Sequence, residues 1–393
     1  MEESVKTQSV GVMDRLMSQP HQPFFILGVV NAIMTMALFW YAERYGLSMD
    51  MKLFHSYGMI FAVFTNFFYG FLYTTFSRFS MRPPVEKRVY TRLFAINIIS
   101  SISLYLYPLS HDFIYLAILA NGISISYTIK IFYSIYSEAP EPKSDQYMII
   151  LSLGMAFLSN LLYLLSLFGC DGCNEAIFSH YAVGVGIYLY LLNLSITVGW
   201  RMIPFFSGCH FYAKSSYFHH IVTILLISHV ALSTLYPKAL FAVDMALAVL
   251  FLYELYRMDL PFPNKTPLLW SLHIALFWIP LAFFASSFAE FSEAWFGFDY
   301  IAVDIHLLML GFLTTVMISF GTRVTLGHGG APLMVGKAGT ALLMLVQLPA
   351  LGRFLYSMHS GDIFLDISAS LWIAVYLIWI ALYGKILIFG YKG

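Results

Sequence analysis

Apolar runs of about twenty residues recur along the whole chain, separated by short polar connections. A helix that crosses a hydrocarbon core of about 30 Å needs about 20 apolar residues, and lipid admits only helices or closed barrels. The runs therefore predict an all-α membrane protein with twelve spans. Their predicted bounds are residues 24–41, 53–76, 91–108, 113–136, 147–168, 177–199, 218–236, 239–256, 267–289, 300–322, 338–357 and 363–389.

The polar connections between these runs are too short to hold a second domain, so residues 1–393 are predicted to form a single integral membrane domain. The first run starts only after 22 residues and has no small-residue cleavage pattern. We interpret it as a retained span and not as a signal peptide. Predicted helices 2, 6 and 10 each carry a histidine near one end and an arginine near the other, which suggests three four-helix units.

Composition supports the membrane assignment. Hydrophobic residues make up 60% of the chain and charged residues 11%, whereas a typical soluble chain has about 25% charged residues. Twenty-one Lys and Arg against twenty-one Asp and Glu give a net charge of zero, so no basic surface predicts a nucleic-acid partner. The expected partner is the lipid bilayer.

The basic residues are distributed unequally between the two predicted faces. The face that carries both termini has seventeen Lys and Arg, and the other face has four, which are Arg44, Lys52, Lys238 and Arg353. Basic residues accumulate on the cytoplasmic side of membrane proteins. Both termini are therefore predicted to be cytoplasmic.

Two histidines, His55 and His306, lie at matched depth near the non-terminal ends of predicted helices 2 and 10. An ionisable group at the centre of a membrane helix costs about 2.5–3.5 kcal/mol on insertion scales, so such residues indicate function. Two neutral imidazoles at one depth are the ligands that a six-coordinate haem b requires between helices. The alternative is that each histidine donates a hydrogen bond to a neighbouring helix.

Two further histidines are candidates for copper, because imidazole is a copper ligand. His180 lies at a similar depth on helix 6, and His229 lies nearer the middle of the membrane on helix 7. Asp244 and Asp304 lie in the same half of the membrane. Either carboxylate could orient an imidazole by accepting its second N–H, or could carry protons.

Arginine motifs mark the terminal ends of helices 6 and 10. Arg201 begins the string RMIPFF, and Arg323 begins RVTLGH, which ends at His328. An arginine with a nearby histidine and free backbone donors could hold an acidic group such as a haem propionate, whereas simple anchoring at the membrane surface is the alternative. Pro204 is predicted to end helix 6, and the glycines around His328 to form a tight turn.

Three more histidines lie on the terminal side. His219 and His220 begin helix 7, and His273 lies about two turns into helix 9. One interpretation is a second metal or haem site on this side. The other is an interfacial role without a ligand, which we favour for His219 and His220.

Cys170 and Cys173 form the string CDGC in the connection between helices 5 and 6. Covalent haem attachment through CxxC requires a histidine as the next residue, and Asn174 stands there, so a c-type haem is excluded. If this loop is periplasmic, its oxidising surroundings favour a local disulfide.

Three segments resemble the signature regions of the NnrS family. They are residues 55–85, which begin HSYGMIFAVFTNFF, residues 199–206, GWRMIPFF, and residues 306–333, which contain RVTLGHGGAPL. The family consists of bacterial polytopic membrane proteins described as containing haem and copper and linked to nitric oxide metabolism and protection from nitrosative stress. The resemblance covers nearly the whole chain. The matching positions are His55, Arg201, His273, His306, Arg323 and His328.

The chain departs from the family pattern at two places. Tyr57 and Gly58 stand where the family usually has a second histidine and a glutamate, and GHGGA stands for GHTGR, with Gly329 and Ala331. A distant similarity to haem-copper oxidases is an analogy only, because it rests on the span number and histidine distribution. Asp304 stands where those enzymes have a histidine on helix 10, so a complete binuclear oxygen-reducing centre is not expected.

The leading hypothesis is a haem b-binding protein of the bacterial inner membrane that acts in nitric oxide metabolism or the nitrosative stress response, with copper as a second candidate cofactor. Nitric oxide or another small diatomic molecule is the expected ligand, and the residues identify no electron donor. They leave open whether the protein catalyses a redox reaction or only binds the gas. The alternatives are a twelve-helix secondary transporter and a metal-free accessory protein.

Overall fold

The computed structural model describes residues 11–168, 175–359 and 361–391. Within these ranges the chain is helical and contains no β-strand. Twelve helices are long and apolar enough to cross a membrane, so this is a multi-pass membrane protein. They are α1 (His21–Tyr45), α2 (Met51–Phe79), α3 (Lys87–Leu106), α4 (Asp112–Ser137), α5 (Ser144–Leu167), α6 (Glu175–Ser207), α7 (Phe218–Leu235), α8 (Pro237–Met258), α9 (Pro267–Phe296), α10 (Val303–His328), α11 (Lys337–Ser357) and α12 (Ile363–Phe389).

All twelve predicted spans are confirmed, and most of their bounds agree within four residues. The prediction that Pro204 ends helix 6 was wrong, because α6 continues to Ser207 and ends at Gly208, which has a φ of 73°. A proline in the last turn removes only one backbone hydrogen bond, to the carbonyl of Trp200, and the helix tolerates that loss. The predicted disulfide between Cys170 and Cys173 lies outside the described residues.

The helices α2, α6 and α10 form the centre of the molecule. Their most apolar stretches are 83%, 89% and 83% buried, against 33–61% for the other nine spans. The three meet directly, since Phe61 packs on Tyr190 and Phe320 packs on both Phe71 and Phe206. Every fourth span is therefore central, which is the arrangement that three four-helix units would produce.

Each central helix contains a π-helical segment that the sequence did not reveal. The segments are Gly58–Phe64 in α2, Val185–Leu192 in α6 and Leu307–Leu313 in α10. In α2 and α10 the segment begins just after His55 and His306. Because π-helices are rare and concentrate at functional sites, these segments direct attention to the side chains beside them.

Twelve crossings place both ends of the chain on the same side of the bundle. We call this side the terminal face and the other side the opposite face. The helix α2 runs from the opposite face, where His55 lies, to the terminal face, where Arg78 lies in its last turn. The helices α6 and α10 run in the same direction, since both are even-numbered spans.

Candidate functional site

A cavity of about 430 Å³ lies between the central helices and α1, α11 and α12 in the half of the bundle nearer the opposite face. We call it the histidine cavity, because His55 and His306 both line it. Most of its wall is apolar, and Met36, Phe64 and Trp372 are examples. A cavity of this size and character is typical of sites for small molecules and cofactors.

The structure brings His55 and His306 together across this cavity. Their ring centres are 6.4 Å apart, and the ring planes are inclined by only 19°. The backbone carbonyl of Ala302 lies 2.8 Å from Nδ1 of His306, so that nitrogen is the donor and Nε2 keeps its lone pair. The Nδ1 atom of His55 is buried and has no hydrogen-bond partner.

Two basic residues, Arg353 and Lys52, line the same cavity. The sequence predicts only that both lie near the opposite face. Arg353 is 7% exposed and donates to the carbonyl oxygen of Ile301 and, at 2.5 Å, to Ser357 Oγ. Lys52 lies on the wall with it. No acidic residue pairs with Arg353 among the described residues, although Glu43 lines the same, mostly apolar cavity. An arginine inside a predicted span was the available signal for this role.

A second polar cluster lies near the opposite face, outside the histidine cavity. His229 Nδ1 lies 2.5 Å from an oxygen of the buried Asp244, and Nε2 lies 3.7 Å from Asp304. Tyr188 donates a hydrogen bond to Asp304. The pairing of His229 with Asp244 agrees with the prediction that this carboxylate could orient an imidazole. Both ring nitrogens of His229 face carboxylates.

The remaining candidate for copper is isolated from both groups. His180 is exposed, and its Nε2 lies 2.8 Å from Ser233 Oγ. The described residues contain no group of three or more His, Cys, Asp or Glu side chains that could hold a metal ion. The two imidazoles of the histidine cavity are therefore the best candidate for metal ligation in the described structure.

Arg201 and His273 lie on the terminal side, far along their helices from the histidine cavity. The Arg201 guanidinium pairs with Asp145 at 3.0 Å, and Lys214 reaches the same carboxylate at 2.5 Å. His273 is fully buried, with Nε2 2.7 Å from Ser207 Oγ. Neither residue contacts His55 or His306.

Arg323 and His328 also lie on the terminal side and line a different cavity. The Arg323 guanidinium lies 3.9 Å from the centre of the Phe206 ring, and the His328 ring lies 4.8 Å from that of His21. The six predicted cofactor-binding residues therefore divide into a histidine pair near one face and four residues near the other.

Comparison with known protein families gives one match over nearly the whole chain. Residues 15–389 match the family described as NnrS protein. A comparison with curated proteins gave no match.

Proposed function

Because the chain belongs to the NnrS family, we propose that it is a haem-binding membrane protein of nitric oxide metabolism or the nitrosative stress response. In this proposal His55 and His306 would hold the iron of a haem b. The single observation that supports it best is the near-parallel pair of imidazoles at 6.4 Å across an apolar cavity.

The pair offers two imidazoles from different helices to the same cavity. The ring centres lie 6.4 Å apart, and the ring planes are inclined by 19°. Both residues line the cavity, His55 from α2 and His306 from α10. In this proposal the two side chains would hold one haem iron between the two helices.

Haem b held by His55 and His306 would supply an iron that transfers single electrons. The protein's own part is to hold and shield it. The hydrogen bond from His306 Nδ1 to the Ala302 carbonyl leaves the lone pair on Nε2, and His306 lines the cavity. The apolar wall excludes water, and Arg353 with Lys52 would neutralise the propionates.

The described residues do not fit a copper site of comparable quality. His180 pairs with Ser233, and His229 lies between two carboxylates. Neither histidine belongs to a group of three or more His, Cys, Asp or Glu side chains that could hold a metal ion in the described ranges. We therefore assign no residues to copper.

Absorption spectroscopy tests the haem proposal. The purified protein, expressed with adequate haem, is expected to show a Soret band that His55→Ala and His306→Ala each strongly reduce. His111→Ala is the control, since His111 is an exposed histidine near the same face. Absence of a Soret band in the unmodified protein would overturn the proposal. It would favour the metal-free accessory protein, or, if proteoliposomes showed solute flux, the transporter.

We also propose that the protein resides in the bacterial inner membrane with its terminal face in the cytoplasm. The support is the distribution of Lys and Arg, seventeen against four. A reporter that fluoresces only in the cytoplasm should be bright when fused after Tyr391 and dark when inserted near His111. The reverse pattern would contradict this orientation.

A further inference from the structure

A second cavity, of about 540 Å³, lies where the terminal ends of α2, α6 and α10 meet. We call it the arginine cavity, because Arg78 from α2 and Arg323 from α10 line it, together with His328. It lies at the other end of the helices that form the histidine cavity. The haem proposal does not involve it.

The arginines of this cavity have no counter-charge. No Asp or Glu lines the cavity. Within the described residues, the guanidinium groups of Arg78 and Arg323 form no ion pair and no hydrogen bond. By contrast, Arg201 and Arg257 on the same face pair with Asp145 and Glu254. Two unpaired guanidinium groups at one cavity favour an anion.

The floor of the cavity is aromatic. Phe320 packs on Phe71 at 5.8 Å and on Phe206 at 6.0 Å, so that one phenyl ring from each central helix contributes. The Arg323 guanidinium lies over the Phe206 ring at 3.9 Å, closer than any other cation–aromatic contact in the described residues. This contact holds the guanidinium plane along the apolar floor.

Anchoring at the membrane surface explains only part of this arrangement. A cation in the last turn of α2 interacts favourably with the helix dipole, which accounts for Arg78 alone. It does not account for Arg323, which lies more than one turn before the end of α10 and is half-buried against Phe206. Nor does it explain why both guanidinium groups share a cavity of ligand size.

We infer that the arginine cavity is a binding site for a planar apolar molecule that carries a carboxylate or phosphate. The anionic group binds Arg78 and Arg323 at the rim, and the planar body lies on the three phenylalanines. Because α2, α6 and α10 are the helices most shielded from lipid, the occupant is a solute that enters from the terminal face. The inference stands whether or not haem binds at the histidine cavity.

The test uses the full-length protein in phosphatidylcholine nanodiscs and 2-naphthoate as the probe. Ligand binding raises the midpoint of thermal unfolding. We expect 2-naphthoate to raise it in a saturable way, and acetate, inorganic phosphate and the neutral 2-naphthylmethanol to have much smaller effects. An equal response to phosphate would overturn the role of the aromatic floor, and no response to naphthoate would overturn the site.

Four variants separate the contributions of the arginines and of the aromatic floor to naphthoate binding. Arg78→Gln and Arg323→Gln are each expected to weaken naphthoate binding about tenfold or more, since each removes a charged hydrogen-bond donor. Phe206→Leu should weaken naphthoate but not phosphate. Arg88→Gln, the matched control, removes an exposed arginine on the same face. If Arg78→Gln and Arg323→Gln responded like the unmodified protein, the inference would be wrong. Arg78 is exposed, so its variant decides the matter even if Arg323→Gln does not fold.

Two further measurements separate the solute from other anions. If nanodiscs of phosphatidylglycerol displaced naphthoate from the unmodified protein, a lipid headgroup would be the occupant and the solute assignment would fail. The haem-to-protein ratio of Arg78→Gln should equal that of the unmodified protein. A halved ratio would mean that the cavity holds a haem propionate, which would also overturn the solute assignment.

Discussion

The two ends of the central helices make opposite use of polar groups. At the opposite face, α2 and α10 present imidazoles to a mostly apolar cavity, with a buried arginine that donates to Ile301 and Ser357. At the terminal face, the same two helices present guanidinium groups without partners to an aromatic cavity. Neutral nitrogens with free lone pairs bind metals, and unpaired cations bind anions. One helix triad therefore supports two separate kinds of chemistry.

The first test sharpens the role of the imidazole pair. The Nδ1 atom of His306 donates to Ala302, whereas that of His55 has no partner. Hydrogen bonds that orient a ligand change metal affinity about 10- to 100-fold. His306→Ala should therefore weaken haem binding about tenfold more than His55→Ala. Haem titration of the purified variants measures this, and equal losses would show that the Ala302 contact is unimportant.

The next effect compares the ionic groups of the two ends. Asp244 is fully buried against His229, and removing one partner of such a pair costs about 3–5 kcal/mol. Asp145 is 13% exposed and pairs with Arg201, Lys214 and His219, of which the first two are partly exposed. Its loss should cost less, about 1–3 kcal/mol. Reversible unfolding of Asp244→Ala and Asp145→Ala in detergent measures the difference. A similar cost for both would contradict the contrast in burial.

A smaller effect distinguishes the arginines of the two cavities. Arg353→Met removes the donor to Ser357 Oγ and one of the two donors to the Ile301 carbonyl, which keeps its hydrogen bond from Ser357, and we expect a loss of about 1–3 kcal/mol. Arg323→Met removes only the contact with Phe206 and should cost about 0.5–1 kcal/mol. The free energies of unfolding of the two variants provide the test. If Arg323→Met were the more destabilising, Arg323 would have a structural role instead of a binding role.

The last test concerns the segment between the two ends. A methyl group at Gly186 would lie 2.7 Å from Ser159 Oγ and 2.9 Å from Ile60 Cδ1. Gly186→Ala should therefore destabilise the protein by about 1–3 kcal/mol. Gly154 in α5 has no such neighbour within 4 Å, so Gly154→Ala should be neutral or stabilise by up to about 1 kcal/mol. Thermal unfolding of both variants checks the sign of each change.

Much of the fold could be predicted from the sequence because the length of an apolar run is a local property. The depth of His55 and His306 follows from the same runs, so their placement at one level was also accessible. Depth gives no direction around the helix axis, however. For that reason the position of Arg353 inside a predicted span marked it as unusual but did not show that it lines the histidine cavity.

The sequence could not show, for a related reason, that Arg201 pairs with a carboxylate whereas Arg323 packs on an aromatic ring. Both residues stand in similar motifs at the ends of central helices, so the sequence predicts the same role for both. The partner of Arg201 is Asp145, which belongs to α5 and lies 56 residues earlier in the chain. Arg323 has Phe206 as its neighbour, from α6. Only packing between helices decides which arginine is neutralised.

The π-helical segments have a mechanical consequence for the two ends. In α2 the segment Gly58–Phe64 separates His55 from Arg78, and in α10 the segment Leu307–Leu313 separates His306 from Arg323. A π turn holds more residues than an α turn. Conversion of one such turn to α geometry would rotate one end of the helix against the other by about 100°. The helices α2 and α10 thus connect the two cavities, and the rotation of one end of each helix relative to the other depends on the backbone hydrogen bonds of its π-helical segment.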